Sequence, residues 1–192
     1  MFSSKYTNLL NQLLQLGHPD MNPDWSAYLK LGISAVQIAD LSHLAVDFDL
    51  FKSEDDFEFW APIHAWRALA TLGGPAAIAA LMNAFHQLSD TEEFLDLVGE
   101  ELPEVIGRLG ASALPSLAAS LADQQLTNYT YENLVSGIIE VYNQHPETRD
   151  ACMSILTEQL TQFMVNQPSL NGHLATALAV NFTAVESASV SS

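Results

Sequence analysis

The sequence predicts an all-α protein, a right-handed α-α superhelix of about five helical hairpins that follow one N-terminal helix. Three observations predict this fold class. Apolar residues recur at three- and four-residue spacing along most of the chain, which is the period of amphipathic helices. Short turns containing glycine or proline separate these stretches at nearly regular intervals. No segment has the pattern of a convincing β-strand.

The predicted helices before the first acidic segment span residues 3–16, 23–31 and 34–44. Gly17 and Gly32 end the first two of them. Asn22-Pro23-Asp24 supplies a cap residue, a first-turn proline and a first-turn acid, which together favour a helix start. Ser34 is placed to cap the third helix. Residues 47–58 are acidic with interleaved phenylalanines, and we expect a loop there with a helical start near Ser53.

The remaining predicted helices span residues 60–72, 75–88, 90–109, 114–122, 131–143, 149–164 and 168–181. Asp90 and Glu93 form a capping-box pattern at the start of the third of these. Gly99 and Pro103 are expected to bend the same helix. Thr130 is placed to cap the helix that begins at residue 131.

The turns repeat along the chain. Those around Gly32, Gly73 and Gly110 share a Leu-Gly-x-x-Ala pattern and are separated by 41 and 37 residues. Turns around Pro146 and Phe182 continue the series at 36-residue steps. A period near 40 with two helices per unit is typical of HEAT and armadillo repeats. We expect one domain over residues 1–192, with units at residues 20–47, 54–88, 90–123, 130–164 and 168–192.

The segments PIHAWRALATLGGPAAIAALMNAF, EELPEVIGRLGASALPSLAASL and HPETRDACMSILTEQL resemble the HEAT-like repeats named for phycobilisome bilin lyases. The resemblance covers about residues 57–181. It implies an α-solenoid and a bacterial protein, while the repeat motif itself implies no catalysis. Related chains continue with a further helix and in some cases a Cys-rich metal module. This chain reaches Ser192 without them, as a short natural form or a truncated one.

The charge narrows the choice of partners. With 23 acidic and 6 basic residues, the formal net charge is −17, which repels phosphate backbones and anionic lipid. We therefore expect neither nucleic acid nor a membrane as a partner, and no apolar run approaches the length of a membrane span. A single cysteine, Cys152, and an N-terminus without a signal-peptide pattern predict a cytoplasmic protein.

One helix face carries the strongest candidate residues. Trp60, His64 and Arg67 are spaced at i, i+4 and i+7, so they share a face of their helix. Counting back from the turn glycines sets His64 level with Glu101 and Arg67 level with Glu104. Two interpretations remain open: a polar ladder between repeats that fixes their register, which is favoured, or a patch that binds a ligand or partner side chain.

The acidic residues form two clusters, one at residues 47–58 and one at residues 90–104 that includes Glu100. Each precedes or begins the first helix of a unit, so we expect both on one edge of the array, where they would attract a basic protein segment. Solubility is the alternative explanation. A Ca²⁺ site is disfavoured because neither cluster has the spacing of an EF-hand. No histidine pair has the spacing of a transition-metal site, and we expect no metal and no cofactor.

The favoured function is non-enzymatic protein binding, through the groove lined by the second helices or through the acidic edge. The alternative is a bilin lyase-like subunit, or another subunit that handles a small ligand. Its pocket would draw on the best available set of residues: Trp60, His64, Trp66, Glu101 and Glu104. A homodimer through the C-terminal end is a further expectation. The last long helix lacks a full partner, so a second chain or ordered terminal residues should cover it.

Overall fold

The computed structural model describes residues 6–19, 24–89 and 95–182, and every regular element in them is a helix. The all-α prediction is therefore confirmed for this part of the chain. The contacts divide the protein into two compact units, residues 1–88 and residues 89–192. The expectations for Asn22-Pro23, for the Asp90 and Glu93 capping box and for residues 183–192 fall outside the described residues.

The first unit begins with a 3₁₀ helix and then has six α-helices: α1 (Ala27–Lys30), α2 (Ile38–Leu44), α3 (Phe48–Phe51), α4 (Asp56–Phe59), α5 (Ala61–Leu72) and α6 (Gly74–Leu88). Helix α5 is the centre of this unit because it packs against α1, α2, α3, α4 and α6 and against the 3₁₀ helix. All residues from Ala61 to Ala70 are buried, as expected for a helix that is covered on every side.

Two local predictions for the first unit are wrong. The described part of the predicted N-terminal α-helix is a 3₁₀ helix, Leu10–Gln15, which buries Leu10 and Leu13 on one side. This tighter winding places residues three apart directly above each other. The loop predicted within residues 47–58 is interrupted by the one-turn helix α3, and the helical start expected near Ser53 is α4, which begins at Asp56. Asp47 and Asp55 cap these two helices by accepting hydrogen bonds from the backbone two residues on.

Other predictions for this unit are confirmed. Ser34 is the N-cap of a short 3₁₀ turn, Ala35–Gln37, and forms a capping box with Gln37 before α2 begins. Gly32 and Gly73 have positive φ angles of 88° and 64° where their helices end. The helix pair α5 and α6 follows the predicted bounds to within one residue at each end.

The described part of the second unit contains five α-helices: α7 (Leu95–Gly107), α8 (Leu114–Leu121), α9 (Asn128–Gln144), α10 (Arg149–Thr161) and α11 (Pro168–Asn181). Helix α9 packs against α7 on one side and α11 on the other, and α8 and α10 also pack on it. Its fully buried residues include Tyr131, Leu134 and Ile138, so the core of this unit runs along α9.

Two helix bounds in the second unit differ from the prediction. Helix α9 begins three residues early because Thr127, and not Thr130, is its N-cap and accepts a hydrogen bond from the Thr130 backbone. Helix α10 ends at Thr161 instead of residue 164. The residues after it form turns held by the buried side chain of Asn166, which donates to the Gln159 carbonyl and accepts from the Gln159 amide.

Candidate functional site

Two of the predicted site residues are tryptophans in the first unit, Trp60 immediately before α5 and Trp66 within it. Trp60 is half-buried, and its ring lies 4.2 Å from the His18 ring, centroid to centroid. Trp66 has no exposed surface, and its indole Nε1 donates a hydrogen bond to the Ala45 carbonyl at 2.8 Å. Trp66 therefore fills the core of the unit, and no ligand in solvent reaches it in this conformation.

His64 connects two segments inside the first unit. Its imidazole Nε2 lies 2.8 Å from the Gly17 carbonyl oxygen, and its Nδ1 lies 2.8 Å from the Tyr28 hydroxyl. Because a carbonyl only accepts, Nε2 carries the proton and Nδ1 accepts from Tyr28. Burial is the main reason that the pKa of His64 is lowered from 6.5 to about 4; the hydrogen bond to the Gly17 carbonyl opposes this shift, and Arg67 and His18 add smaller contributions in the same direction as burial. At neutral pH the imidazole of His64 is therefore uncharged, and it links Gly17 to Tyr28 through hydrogen bonds.

Arg67 is also buried, with 3% of its surface exposed. Its guanidinium carbon lies 5.4 Å from the centroid of the Trp25 ring, which is a cation–π arrangement. The predicted pairs His64 with Glu101 and Arg67 with Glu104 would each join the two units, so they stay predictions. Trp60, His64 and Arg67 each contact other segments of the first unit.

A groove lies between α7 and α9 in the second unit, with a cavity of about 830 Å³. We call it the α7–α9 groove. Small residues shape it: Gly99 and Pro103 on α7 and Ser136 on α9 line it without filling it. The helices approach closely at one end, where a methyl group on Gly107 would lie 2.9 Å from Cβ of Glu140. Gly99 lies close to Asn133 in the same way. Because residue numbers increase on both helices from the Gly99–Asn133 contact to the Gly107–Glu140 contact, α7 and α9 run in the same direction.

Carboxylates dominate the lining of the α7–α9 groove and of the adjoining pocket of about 280 Å³. Three come from α7 and two from α9: Asp96, Glu100, Glu104, Glu132 and Glu140. Among the described residues, no basic side chain forms an ion pair with those of Asp96, Glu100, Glu104 or Glu132. Arg108 and His145 line the opposite end from Asp96, which gives the groove a direction.

The structure brings two predicted site residues, Glu100 and Glu104, into this groove, while Glu101 does not line it. Gln144 Nε2 donates to the Glu104 backbone carbonyl at 3.0 Å, which ties α9 to α7 beside the Glu104 carboxylate. Sequence reasoning missed Glu132 and Glu140. Their signal was the polar series Glu132, Ser136 and Glu140, which recurs every fourth residue along α9 and so lies on one side of it.

A second groove of about 560 Å³ follows on the same side of α9, between α9 and α11. It shares Glu132 and Ser136 with the acidic region and is otherwise lined mainly by neutral residues such as Ile139, Thr176 and Val180. The exposed sides of α7, α9 and α11 therefore form a continuous surface that changes from acidic to neutral along the unit.

The acidic cluster at residues 47–58 lies in the first unit near a cavity of about 570 Å³. Tyr6 donates a hydrogen bond to Asp47 there, and burial together with the Asp47 and Asp49 charges raises the pKa of the Tyr6 hydroxyl. Part of the other acidic cluster, Asp90, Glu92 and Glu93, lies outside the described residues. The placement of both clusters on one edge therefore stays a prediction.

Within residues 6–19, 24–89 and 95–182, no group of three or more histidine, cysteine or carboxylate residues is arranged to hold a metal ion. No helix there is both long and apolar enough to span a bilayer. A comparison of the chain with protein-family models, with curated proteins and with solved structures found no match.

Proposed function

We propose that this protein is a non-enzymatic binding module that takes a basic protein segment in its α7–α9 groove. One observation carries the proposal: at least four carboxylates line the groove and its adjoining pocket without a basic partner among the described residues. Carboxylates that form no ion pair within their own protein can pair with lysine and arginine side chains of another chain.

The charge of the whole chain supports a basic protein partner over a nucleic acid. A net charge of −17 attracts cationic segments and repels polyphosphates. Arginine is favoured as the contacting residue because its planar guanidinium pairs with a carboxylate through two hydrogen bonds. Each exposed pair contributes about 0.2–1 kcal/mol, so several pairs are needed for measurable affinity.

The spacing of the acids supports an extended ligand. Asp96, Glu100 and Glu104 recur every fourth residue on α7, which places successive carboxylates about 6 Å apart along the helix axis. Alternate residues of an extended chain are separated by about 6.5 Å. A segment with arginine at every second position therefore matches the row of carboxylates, with its other side chains directed away from the groove.

The order of packing supports the proposed solenoid architecture. In the second unit α7, α9 and α11 pack in succession, while α8 and α10 pack behind them. Two such layers are typical of HEAT-like repeats, whose ordered helix rows supply extended binding surfaces. We infer that the protein works in the cytoplasm, since its only cysteine, Cys152, is a buried free thiol.

The test is a titration of the intact protein with a fluorescent peptide that alternates arginine and serine, read by anisotropy at low and high salt. A second peptide with glutamate in place of arginine is the ligand control. We expect the arginine peptide to bind at low salt and to weaken as salt rises, because the pairs are screened. The glutamate peptide should not bind.

A matched pair of variants locates the binding. Glu100→Gln with Glu104→Gln removes two carboxylates from the groove, and we expect affinity to fall about fivefold, from roughly 0.5 kcal/mol per pair. Asp150→Asn with Glu158→Gln removes the same charge from exposed positions on α10 that do not line the groove. Equal losses in both variants would show that only net charge attracts the peptide, and the proposed site would be rejected.

A further inference from the structure

The groove between α9 and α11, which we call the α9–α11 groove, has a partly apolar lining. Val135 and Ala177 line it as buried residues, while Ile139 and Val180 line it with side chains that reach solvent. Val180 is 68% exposed. The cavity of about 560 Å³ lies within the range of about 300–1,000 Å³ that is typical of ligand pockets. The groove is therefore large enough to take apolar side chains of a ligand.

The polar side chains of the α9–α11 groove favour a neutral occupant. His173 Nε2 donates a hydrogen bond to Asn128 Oδ1 at 3.0 Å, and Asn181 Nδ2 donates to the Ala177 carbonyl at 3.1 Å. Among the described residues that line this groove, Glu132 alone is acidic, and it also lines the acidic pocket beside the α7–α9 groove. The α9–α11 groove therefore offers arginine few partners and suits apolar side chains better.

The two grooves meet at Ser136. This residue lines the α7–α9 groove, its adjoining pocket and the α9–α11 groove. Its short side chain lies between those of Glu132 and Glu140 on the same side of α9, so the helix presents a low point there. A ligand chain can pass over this point from one groove to the other.

We propose that the basic segment bound in the α7–α9 groove continues over Ser136 and places apolar side chains, such as leucine, in the α9–α11 groove. The inference rests on the proposed function, because the paired arginines hold the segment in place. Packed helices lie about 8–10 Å apart, which is also the separation of grooves on the two sides of α9. Three residues of an extended chain span about 10 Å. The partner segment therefore has arginines at alternate positions and apolar residues about three positions further along.

The end of the groove from which the segment continues follows from its lining. The pocket that joins the two grooves contains Asp96 and Glu132. Arg108 and His145 line the other end of the α7–α9 groove. The apolar residues are therefore adjacent to the arginine that pairs with Asp96. Because an extended chain can lie in either direction, they can precede or follow the arginines in the partner sequence.

The test compares two extensions of the peptide that alternates arginine and serine. One extension carries two leucines at alternate positions after a spacer of about three glycines, and the control extension has serine in place of leucine. Each is made in both orders and titrated against the intact protein by anisotropy. In one order we expect the leucine peptide to bind about tenfold more tightly than the serine peptide, through burial of about one apolar side chain. This ratio should persist at high salt, because salt screens ion pairs but does not weaken apolar burial.

Two valine substitutions locate the leucines. Val180→Ser removes an exposed apolar side chain from the lining of the α9–α11 groove, and Val165→Ser removes one that is 70% exposed and does not line it. We expect Val180→Ser alone to lower affinity for the leucine peptide, by about threefold. Neither variant should change affinity for the serine peptide. Equal effects of the two substitutions, or no effect of Val180→Ser, would place the leucines elsewhere and overturn the inference.

The remaining outcomes separate this inference from the proposed function. If the serine peptide binds and the leucine peptide gains nothing in either order, the inference fails and the proposed function stands. If neither peptide binds, both fail. Urea unfolding and sedimentation of the two variants test other occupants of the groove. A lower unfolding midpoint in Val180→Ser than in Val165→Ser, or a wild-type dimer that only Val180→Ser dissociates, would show that the chain itself or a second copy fills the groove, and would overturn the inference.

Discussion

The buried side chain of His64 makes the stability of the first unit depend on pH. Its neutral ring accepts from Tyr28 and donates to Gly17, and the bond accepted from Tyr28 requires an uncharged imidazole. The lowered pKa, about 4 against 6.5 in the unfolded chain, means that the unfolded state binds a proton first as pH falls. The contribution of His64 to stability is therefore complete above pH 6.5 and is lost as pH falls toward 4.

The variant His64→Gln lacks the titrating imidazole. We expect the difference in free energy of unfolding between the wild-type protein and this variant to shrink by about 3 kcal/mol as pH falls from 6.5 to 4, because only the wild type has this titration. Urea denaturation at several pH values measures the difference. A difference that stays constant over this range would show that His64 is not held neutral by its surroundings.

Gly107 and Gly172 both lie in helices but differ in the space around them. An added methyl at Gly107 would meet Cβ of Glu140 at 2.9 Å, while at Gly172 it would meet nothing within 4 Å. We expect Gly107→Ala to destabilise the protein by about 1–3 kcal/mol through forced separation of α7 and α9. Gly172→Ala should stabilise it by up to about 1 kcal/mol through reduced chain entropy. Thermal or urea unfolding of both variants would detect opposite signs, and equal signs would contradict the close approach.

At the scale of elements, a buried amide cluster fixes the connection between α10 and α11. Asn166 exchanges hydrogen bonds with Gln159, and its amide also donates to the Asn171 side chain. Asn171 in turn donates to the Phe163 carbonyl. These bonds satisfy the backbone of a turn whose apolar side chains point to solvent, so polar contacts and not a hydrophobic core stabilise it.

We expect Asn166→Ala to lower the free energy of unfolding by about 2–3 kcal/mol, because it leaves the buried Gln159 groups without their partner. The matched control is Asn143→Ala, which removes an exposed amide bond to Glu140 and should cost well under 1 kcal/mol. Hydrogen exchange of the amides at residues 162–167 should rise in the first variant alone. Unchanged exchange there would mean that the cluster does not hold the turn.

The presence of the helices could be predicted from the sequence, but the residue at which a helix begins depends on which side chain is its N-cap. Apolar periodicity predicted α5, α6, α8 and α11 nearly to the residue. Thr127 and Thr130 are both good caps, and only the structure distinguishes them, since Thr127 takes the extended backbone that a cap requires. The apolar series of the N-terminal segment did not distinguish a 3₁₀ helix from an α-helix, because both place residues i and i+3 on one side.

At the scale of the whole molecule, the candidate site was only partly predictable. Glu100 and Glu104 could be identified because acids cluster along the sequence. Glu132 and Glu140 lie on another helix, and only the packing of α9 beside α7 brings them to the same groove. The helical spacing of His64 with Trp60 and Arg67 indicated a shared face, but such spacing does not distinguish a binding face from one that packs inside its own unit.

In a chain of net charge −17, repulsion between neighbouring carboxylates lowers the stability of the fold. Asp96, Glu100 and Glu104 are like charges at i, i+4 spacing, and each such pair destabilises a helix by about 0.2–0.5 kcal/mol at low salt. Glu100→Gln with Glu104→Gln should therefore raise the free energy of unfolding by about 0.5–1 kcal/mol and also weaken peptide binding. Opposite effects on stability and binding are expected when charged residues are retained for function although they destabilise the fold.

Urea unfolding of this variant and of the wild type at low and high salt tests that balance. The gain in stability should disappear at high salt because the repulsion it removes is then screened. A variant that is less stable than the wild type, or a gain that persists at high salt, would show that these carboxylates make stabilising contacts. The carboxylates of the groove would then be explained by their contribution to stability, and a basic ligand would have to displace their existing contacts before it could bind.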